Sequence, residues 1–318
     1  MRVWRSLDDV ATDLGRCALI VGNFDGVHVG HQHVIRRARE VADADAMSVV
    51  AVIFDPHPFA VLRPEHAPHA LTDIHRRCYL LGEAGVDDVL VMPFTREIAA
   101  WTPHEFVDRV VVQALNAAVV VVGANFRFGA RAAGDAAMLI AAGGTQGFLV
   151  ERLALEGGPQ IWSSTYARAC ITGGDVEGAS EALGRYYSVV GTVVRGDQRG
   201  RALGFPTANV AIAGLAAPAD GVYAGWLHVL DPEKGQARAS QALPVAISVG
   251  TNPTFDGERE RRVEAYVLDR ADLDFYDKRV EISFVARIRE MVKFDGIDAL
   301  VRTMANDVTQ TRAVLGLV

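Results

Sequence analysis

The pattern of apolar residues changes near residue 184, and this change limits the possible folds more than any other feature of the chain. Before it, the β-branched runs Ala18–Val21, Ser48–Phe54, Asp88–Met92 and Ala118–Val122 read as strands. Amphipathic helical segments lie between them, over His31–Asp43, Asp73–Ala84 and Pro103–Leu115. Apolar strands separated by helices predict an α/β domain whose parallel sheet is covered on both faces. After residue 184, strand follows strand: Ser188–Val194, Val222–Leu230, Leu243–Val249, Val263–Leu268 and Val280–Val285. This succession, punctuated by Gly, Pro and Asp, predicts an antiparallel sheet or small barrel. Asp175 is expected to cap a short helix that Gly184 ends. A last helix carries the stripe Ile297, Leu300, Val301, Met304 and Val308, with Asp295 as its expected cap. The boundary is placed near Arg185, giving domains 1–184 and 185–318; 318 residues suffice for two cores.

In a parallel sheet, ligands bind beyond the carboxyl ends of the strands. The informative loops of the first half fall there. Val21-Gly22-Asn23-Phe24-Asp25-Gly26-Val27-His28-Val29-Gly30-His31-Gln32 joins the first of these strands to a helix. Such a turn offers free backbone N–H groups and a positive helix end to a phosphate. Gly22, Gly26 and Gly30 let the backbone approach the ligand, and His28 and His31 add side-chain donors. Two solvated turn histidines are the plainer alternative, and the flanking strand and helix weigh against it. Asp55-Pro56-His57-Pro58 and Gly123-Ala124-Asn125-Phe126-Arg127-Phe128-Gly129 follow other strands. Asn125 could hold a polar substrate edge or bond its own backbone. Trp162-Ser163-Ser164-Thr165-Tyr166-Ala167-Arg168 places three hydroxyl residues before a short helix. It reads as a capped helix or as a phosphate clamp through Ser164, Thr165 and Arg168.

The second half holds Arg199-Gly200-Arg201-Ala202-Leu203-Gly204-Phe205-Pro206-Thr207-Ala208-Asn209. A basic glycine segment through Gly200, Arg201 and Gly204 can fold over phosphates, and Pro206 stiffens the next turn. Thr207 and Asn209 offer hard oxygen ligands suited to Mg²⁺, which takes one or two protein oxygens beside phosphates and water. A hairpin loop of ordinary turn residues is the alternative. Glu264 is a lone carboxylate in an apolar strand, either a general base or a charge guarding a sheet edge.

A formal net charge of −7 and a pI of about 5.7 argue against a nucleic-acid surface. Cys17, Cys78 and Cys170 lack metal-ligand spacing and fit a reduced, cytoplasmic protein. The start shows no signal core. The apolar stretch from Val110 to Val122 is too short to span a membrane and reads as a helix end running into a buried strand. Oligomeric state, including a homo-oligomer, is not legible.

The motifs of the first half, in this order, resemble the adenylyltransferase half of the bacterial bifunctional riboflavin kinase/FAD synthetases. The Gly-Arg-Ala-Leu-Gly-Phe-Pro-Thr-Ala-Asn segment resembles the riboflavin kinase half, as do Asp220–Ala224, Ser248–Phe255, Val263-Glu264, Asp274-Phe275-Tyr276 and Lys293-Phe294. The resemblance implies a nucleotidyltransferase-type, Rossmann-like sheet followed by a closed antiparallel β-barrel with a closing helix. It places ATP on His28 and His31, with Gly22, Phe24, Asp25, Gly26, Gly30, Asn125, Ser164, Thr165 and Arg168 around the nucleotide. In the barrel it implies Mg²⁺, bound with ATP, at Thr207 and Asn209, and Glu264 as the base. His57, Phe128, Tyr223 and Tyr276 fall beside the flavin. Riboflavin, FMN and FAD are then substrates and products rather than prosthetic groups. The family usually has Ile at the position of Ala167 and Gly at that of Asp277. A barrel that passively holds flavin, or a flavin carrier, would need weakened phosphate motifs, and none is seen.

Overall fold

A computed structural model describes residues 1–154, 162–195, 204–212, 214–231, 242–251, 261–270 and 275–317. The chain forms two compact units, one of Met1–Pro68 with Ile74–Ser163 and one of His69–Asp73 with Ser164–Val318.

The first unit is built on a parallel sheet of six strands: β1 (Arg2–Trp4), β2 (Cys17–Val21), β3 (Ser48–Asp55), β4 (Asp88–Pro93), β5 (Ala117–Gly123) and β8 (Leu149–Leu153). A small antiparallel pair, β6 (Arg127–Phe128) and β7 (Gly134–Asp135), lies between β5 and β8 in sequence. The spatial order is β1-β4-β3-β2-β5-β8. Consecutive residues of β2 feed opposite cores: Cys17, Leu19 and Val21 pack on one face, Ala18 and Ile20 on the other. This burial on both faces explains the continuous apolar runs. The expected strands and helices are present, the first helix spanning Val29–Ala44. The pattern missed β1, β8 and the helix Ala136–Gln146. β1 and β8 are edge strands with exposed positions, so neither carries a continuous apolar run. The segment after Pro103 begins with a Thr102–Glu105 capping box and winds on as a π-helix over Val107–Ala114.

Chain order reverses at β2. From there the chain runs outward through β3 and β4, then returns to β5 on the other side. A crevice opens at the carboxyl end of a strand where the order reverses. The glycine turn occupies that position.

The second unit is a closed antiparallel barrel of β10 (Thr207–Ala211), β13 (Arg261–Val267), β12 (Leu243–Thr251), β11 (Gly221–Val229), β14 (Arg279–Glu290) and β9 (Tyr187–Val194), in that spatial order. Two helices, Ser164–Gly173 and Val176–Leu183, belong to this unit. Asp175 caps the second helix by accepting from the Gly178 N–H, and Gly184 ends it at φ +67°. Three expectations need correction here. Thr207 and Asn209 lie on a strand, not in a turn, because β10 pairs on both sides to close the barrel. Helix Ser164–Gly173 already includes Ser164 and Thr165 in its first turn, leaving Ser163 before it. The last helix spans Ile297–Val314 with Gly296 at its N-cap and no side-chain cap, so Asp295 does not cap it. At Asp277, where the family usually has Gly, φ is +61°, a left-handed turn that Asp tolerates. Ala167 is fully buried in its helix. No helix among the described residues is long and apolar enough to cross a membrane.

Candidate active sites

In the first unit, the turn after β2 is wound tightly enough to place Phe24, Gly26 and Val27 at positive φ. Beneath it lies a buried ion pair. Arg77 Nη2 is 3.0 Å from Asp25 Oδ1, and Arg77 Nη1 donates to the Asn23 carbonyl at 3.2 Å. Asp25 therefore anchors the loop from below, and its carboxylate is 2% exposed. Arg77 was not anticipated. It occupies a core-facing position in the series Ile74, Arg77, Cys78 and Leu81, and a charge there signals a buried partner.

The turn delivers His28 to the N-cap of helix Val29–Ala44. Its Nδ1 accepts from the His31 N–H at 3.4 Å. The rings of His28 and His31 stack with centroids 3.6 Å apart, and Phe24 leans on His31 at 4.8 Å. His28 is buried, which excludes the alternative of two solvated histidines. Burial, followed by His28 and Arg77, pushes the His31 pKa well below its ordinary value. A neutral ring results, and its Nδ1 is buried with no hydrogen-bond partner. Such an atom calls for a ligand or a water. Gly30 keeps the arrangement open: a Cβ there would stand 3.1 Å from the His28 ring. Gly22 similarly borders the Phe24 ring.

His57 approaches the same turn. Its Nδ1 accepts from the Phe59 N–H at 3.1 Å, and its Nε2 lies 3.3 Å from Asn23 Nδ2. Asn125 is exposed just past β5, at the same end of the sheet. Phe128 is buried, packed on Phe126 and Phe106 in the core. Ser164, Thr165 and Arg168 lie on the first helix of the second unit, where Arg168 Nε donates to the His69 carbonyl at 2.8 Å.

In the barrel, β13 pairs with β10 on one side and β12 on the other, so Glu264 does not guard a sheet edge. Asn209 and Ser248 stand directly opposite it on the two neighbouring strands. Val263, Ala265 and Val267 fill the barrel, while Glu264 and Tyr266 alternate to its half-buried outer face. Thr207 pairs with Tyr266 on that face. A cavity of about 240 Å³ opens there, outside the barrel. Glu264, Thr207, Ser248 and Tyr266 line one side, and Leu300, Met304 and Val308 of the last helix line another. Asn209 stands beside this lining. Thr207 and Asn209, two residues apart on one strand face, are hard oxygen donors on the strand beside Glu264. The described residues contain no cluster of three or more His, Cys, Asp or Glu suited to a metal.

Arg289 and Asp307 also line the cavity and were not anticipated. Only pairing register and helix packing bring them there. Tyr223 is fully buried inside the barrel, its hydroxyl donating to the Ala219 carbonyl at 2.6 Å, and it does not line the cavity. Tyr276 is partly exposed beneath the Arg195 guanidinium. Gly204 takes φ +86°, whereas Gly200 and Arg201 lie outside the described residues.

Comparison with known proteins finds a family model for each half of the chain. Residues 10–165 match the family model for FAD synthetase, and residues 183–315 match that for riboflavin kinase. The bifunctional riboflavin kinase/FMN adenylyltransferase of Escherichia coli (strain K12) is 35% identical over 303 residues, covering 95% of this chain and 93% of that protein. The Pseudomonas fluorescens protein of the same description is 35% identical over 317 residues, covering 99% and 98%. A crystal structure from Streptococcus pneumoniae, described as a macrolide-efflux protein, superposes with a TM-score of 0.85 at 31% identity, covering 98% of both chains.

Proposed function

The chain belongs to the bifunctional riboflavin kinase/FMN adenylyltransferase family, and from that premise we propose how its residues divide the two reactions. It phosphorylates riboflavin to FMN and adenylylates FMN to FAD, with ATP as donor in both. Residues 185–318 are assigned to the first reaction and 1–184 to the second. The second assignment includes helix Ser164–Gly173, although that helix packs in the barrel's compact unit.

In the kinase reaction, Glu264 takes the proton from the ribityl 5′-hydroxyl of riboflavin. The oxygen forms a bond to the γ-phosphorus of ATP as the bond to the β–γ bridging oxygen breaks. FMN and ADP leave, and the proton remains on Glu264 until solvent removes it. Thr207 and Asn209 would hold the Mg²⁺ that neutralises phosphate charge in this step. As the family resemblance implies, Gly200, Arg201 and Gly204 would contact the ATP phosphates and Tyr276 the flavin. Tyr223 braces the barrel wall from within.

In the adenylylation, a phosphate oxygen of FMN attacks the α-phosphorus of a second ATP, and pyrophosphate departs. This nucleophile is already anionic, so positioning and charge stabilisation dominate. His28, His31 and the N-terminus of their helix face the phosphates. Asn125 and His57 border the FMN and adenine side. We place the protein in the cytoplasm, in keeping with its three free, buried thiols.

One observation carries this division: a half-buried glutamate on the outer face of a closed barrel, flanked by Asn209, on the wall of a cavity. The test is incubation with riboflavin, ATP and Mg²⁺, with FMN and FAD separated over time. FMN is expected first and FAD after it. FAD made from added FMN but no FMN made from riboflavin would overturn the assignment of the barrel.

A further inference from the structure

The helix that walls the cavity is fastened to the barrel in an unusual way. Its apolar residues Leu300, Met304 and Val308, spaced by four, face the cavity and remain half-buried. Ile297 is 66% exposed. The residues of this helix that are fully buried are polar: Asp307 and Thr311. Apolar contact is non-directional, and here it is directed largely at the cavity, so it fixes the helix register weakly.

A directional contact is available. Arg289 Nε lies 2.8 Å from Asp307 Oδ1, and Arg289 Nη2 lies 2.7 Å from Asp307 Oδ2. This two-pronged ion pair fixes both partners in one plane. Asp307 is 4% exposed, so a slip of the helix by one turn would bury an unpaired carboxylate. Arg289 is further held by donating from Nη1 to the Glu290 carbonyl. It also lies on the same transverse row as the catalytic face. Across the barrel wall the register runs Asn209, Glu264, Ser248, Val222, Arg289. One end of the row carries the proposed metal ligand and base, and the other carries the anchor of the helix.

We propose that Arg289 and Asp307 are positioning residues for the riboflavin site: their ion pair sets the distance between the C-terminal helix and the Glu264 row, and so the width of the slot that receives the flavin ring. This rests on the proposed reading of Glu264 as the base for riboflavin, which puts the flavin in the cavity that Glu264 lines. Neither residue performs chemistry, so their loss acts on flavin binding before it acts on turnover.

The experiment compares the full-length protein with Asp307→Asn, Arg289→Lys, the charge-swapped pair Arg289→Asp with Asp307→Arg, and Met304→Trp. Riboflavin affinity is read by quenching of flavin fluorescence, and FMN formation by steady-state kinetics. Asp307→Asn is expected to raise the Kd and KM for riboflavin by about tenfold or more, with kcat at saturation within about threefold and the KM for ATP unchanged. Conversion of FMN to FAD is unaffected. The charge swap recovers part of the riboflavin affinity. Unchanged riboflavin affinity, or a fall in kcat with KM intact, overturns the proposal. Should Asp307→Asn fail to fold, Arg289→Lys decides it. That variant keeps the charge and loses the two-pronged geometry, so an unshifted riboflavin KM overturns the proposal. Met304→Trp fills the cavity independently of the ion pair. If it binds riboflavin like wild type, the cavity assignment has failed. If it blocks binding while Asp307→Asn leaves affinity intact, the positioning role alone has failed.

Discussion

Asn209 and Glu264 face each other directly across the β10–β13 ladder, side by side on the outer face of a closed barrel. Opposed residues of an antiparallel pair have Cβ atoms about 5 Å apart. The proposed metal ligand and the proposed base therefore share one position along the barrel wall, where an alcohol and a phosphate must meet.

Glu264→Gln keeps the size of the side chain and removes the base. FMN formation should fall by about 10²–10⁴-fold, the usual range for a lost general base. FAD formation from supplied FMN should stay near wild type, since that reaction is assigned to the other half. Chromatography of the two reactions run separately checks both outcomes.

His28→Ala should show the reverse: FAD formation down by about 10²–10³-fold, as for loss of one charge-stabilising donor, with FMN formation intact. Loss of both reactions in a folded variant would contradict two separate sites.

The neutral state of His31 makes a pH prediction. Its native pKa lies well below the ordinary value of 6.5, through burial first and then His28 and Arg77. The unfolded chain therefore binds the proton more readily, and stability from this group is complete above the unfolded pKa and lost as pH falls through it toward the native one. Phosphate oxygens beside the unpartnered Nδ1 favour the charged ring, so nucleotide binding should take up a proton. Calorimetric titration of ATP near pH 6, in buffers of different ionisation heat, should detect this uptake in wild type and lose it in His31→Asn.

Gly30→Ala separates stability from function. Alanine favours a helix by about 0.5–1 kcal/mol over glycine, and loss of the His28 N-cap costs about as much, so the melting temperature should change little. The new methyl would stand 3.1 Å from the His28 ring and displace it. FAD formation should drop while thermal stability holds, measured by product assay and circular dichroism.

Acid stability of the first unit should depend on Asp88. Burial alone would raise its pKa, but hydrogen bonds from the Arg2 side chain and backbone, with the guanidinium charge, outweigh it and hold the carboxyl below its ordinary value. Its contribution is complete above the unfolded pKa of about 3.9 and lost as pH falls through the lower native value. Asp88→Asn should therefore be less stable than wild type near neutrality, with the difference shrinking at low pH. Urea unfolding at neutral and acid pH tests this.

By itself, the sequence determined the two architectures and the position of the glycine turn on the first sheet. Period-two and helical spacing are local, so Cys17–Val21, Ser48–Asp55 and the barrel strands Tyr187–Val194, Gly221–Val229, Leu243–Thr251 and Arg261–Val267 were legible within a residue or two. The glycine turn was legible because strand, turn and helix are contiguous, and one segment carries both His28 and His31. Edge strands β1 and β8 were not, since exposure erases the apolar run that marks a strand. Tertiary structure alone decided which distant residues meet. Arg77 reaches Asp25 of the turn from a helix, 52 positions away. Thr207 and Asn209 look like turn residues until barrel closure pairs their strand on both sides, and that same closure removes Glu264 from an edge. Asp307 looks like an ordinary polar helix residue until packing buries it on Arg289. Local periodicity encodes which face of an element is buried; only the closing of the sheet and the docking of the last helix encode what that face meets.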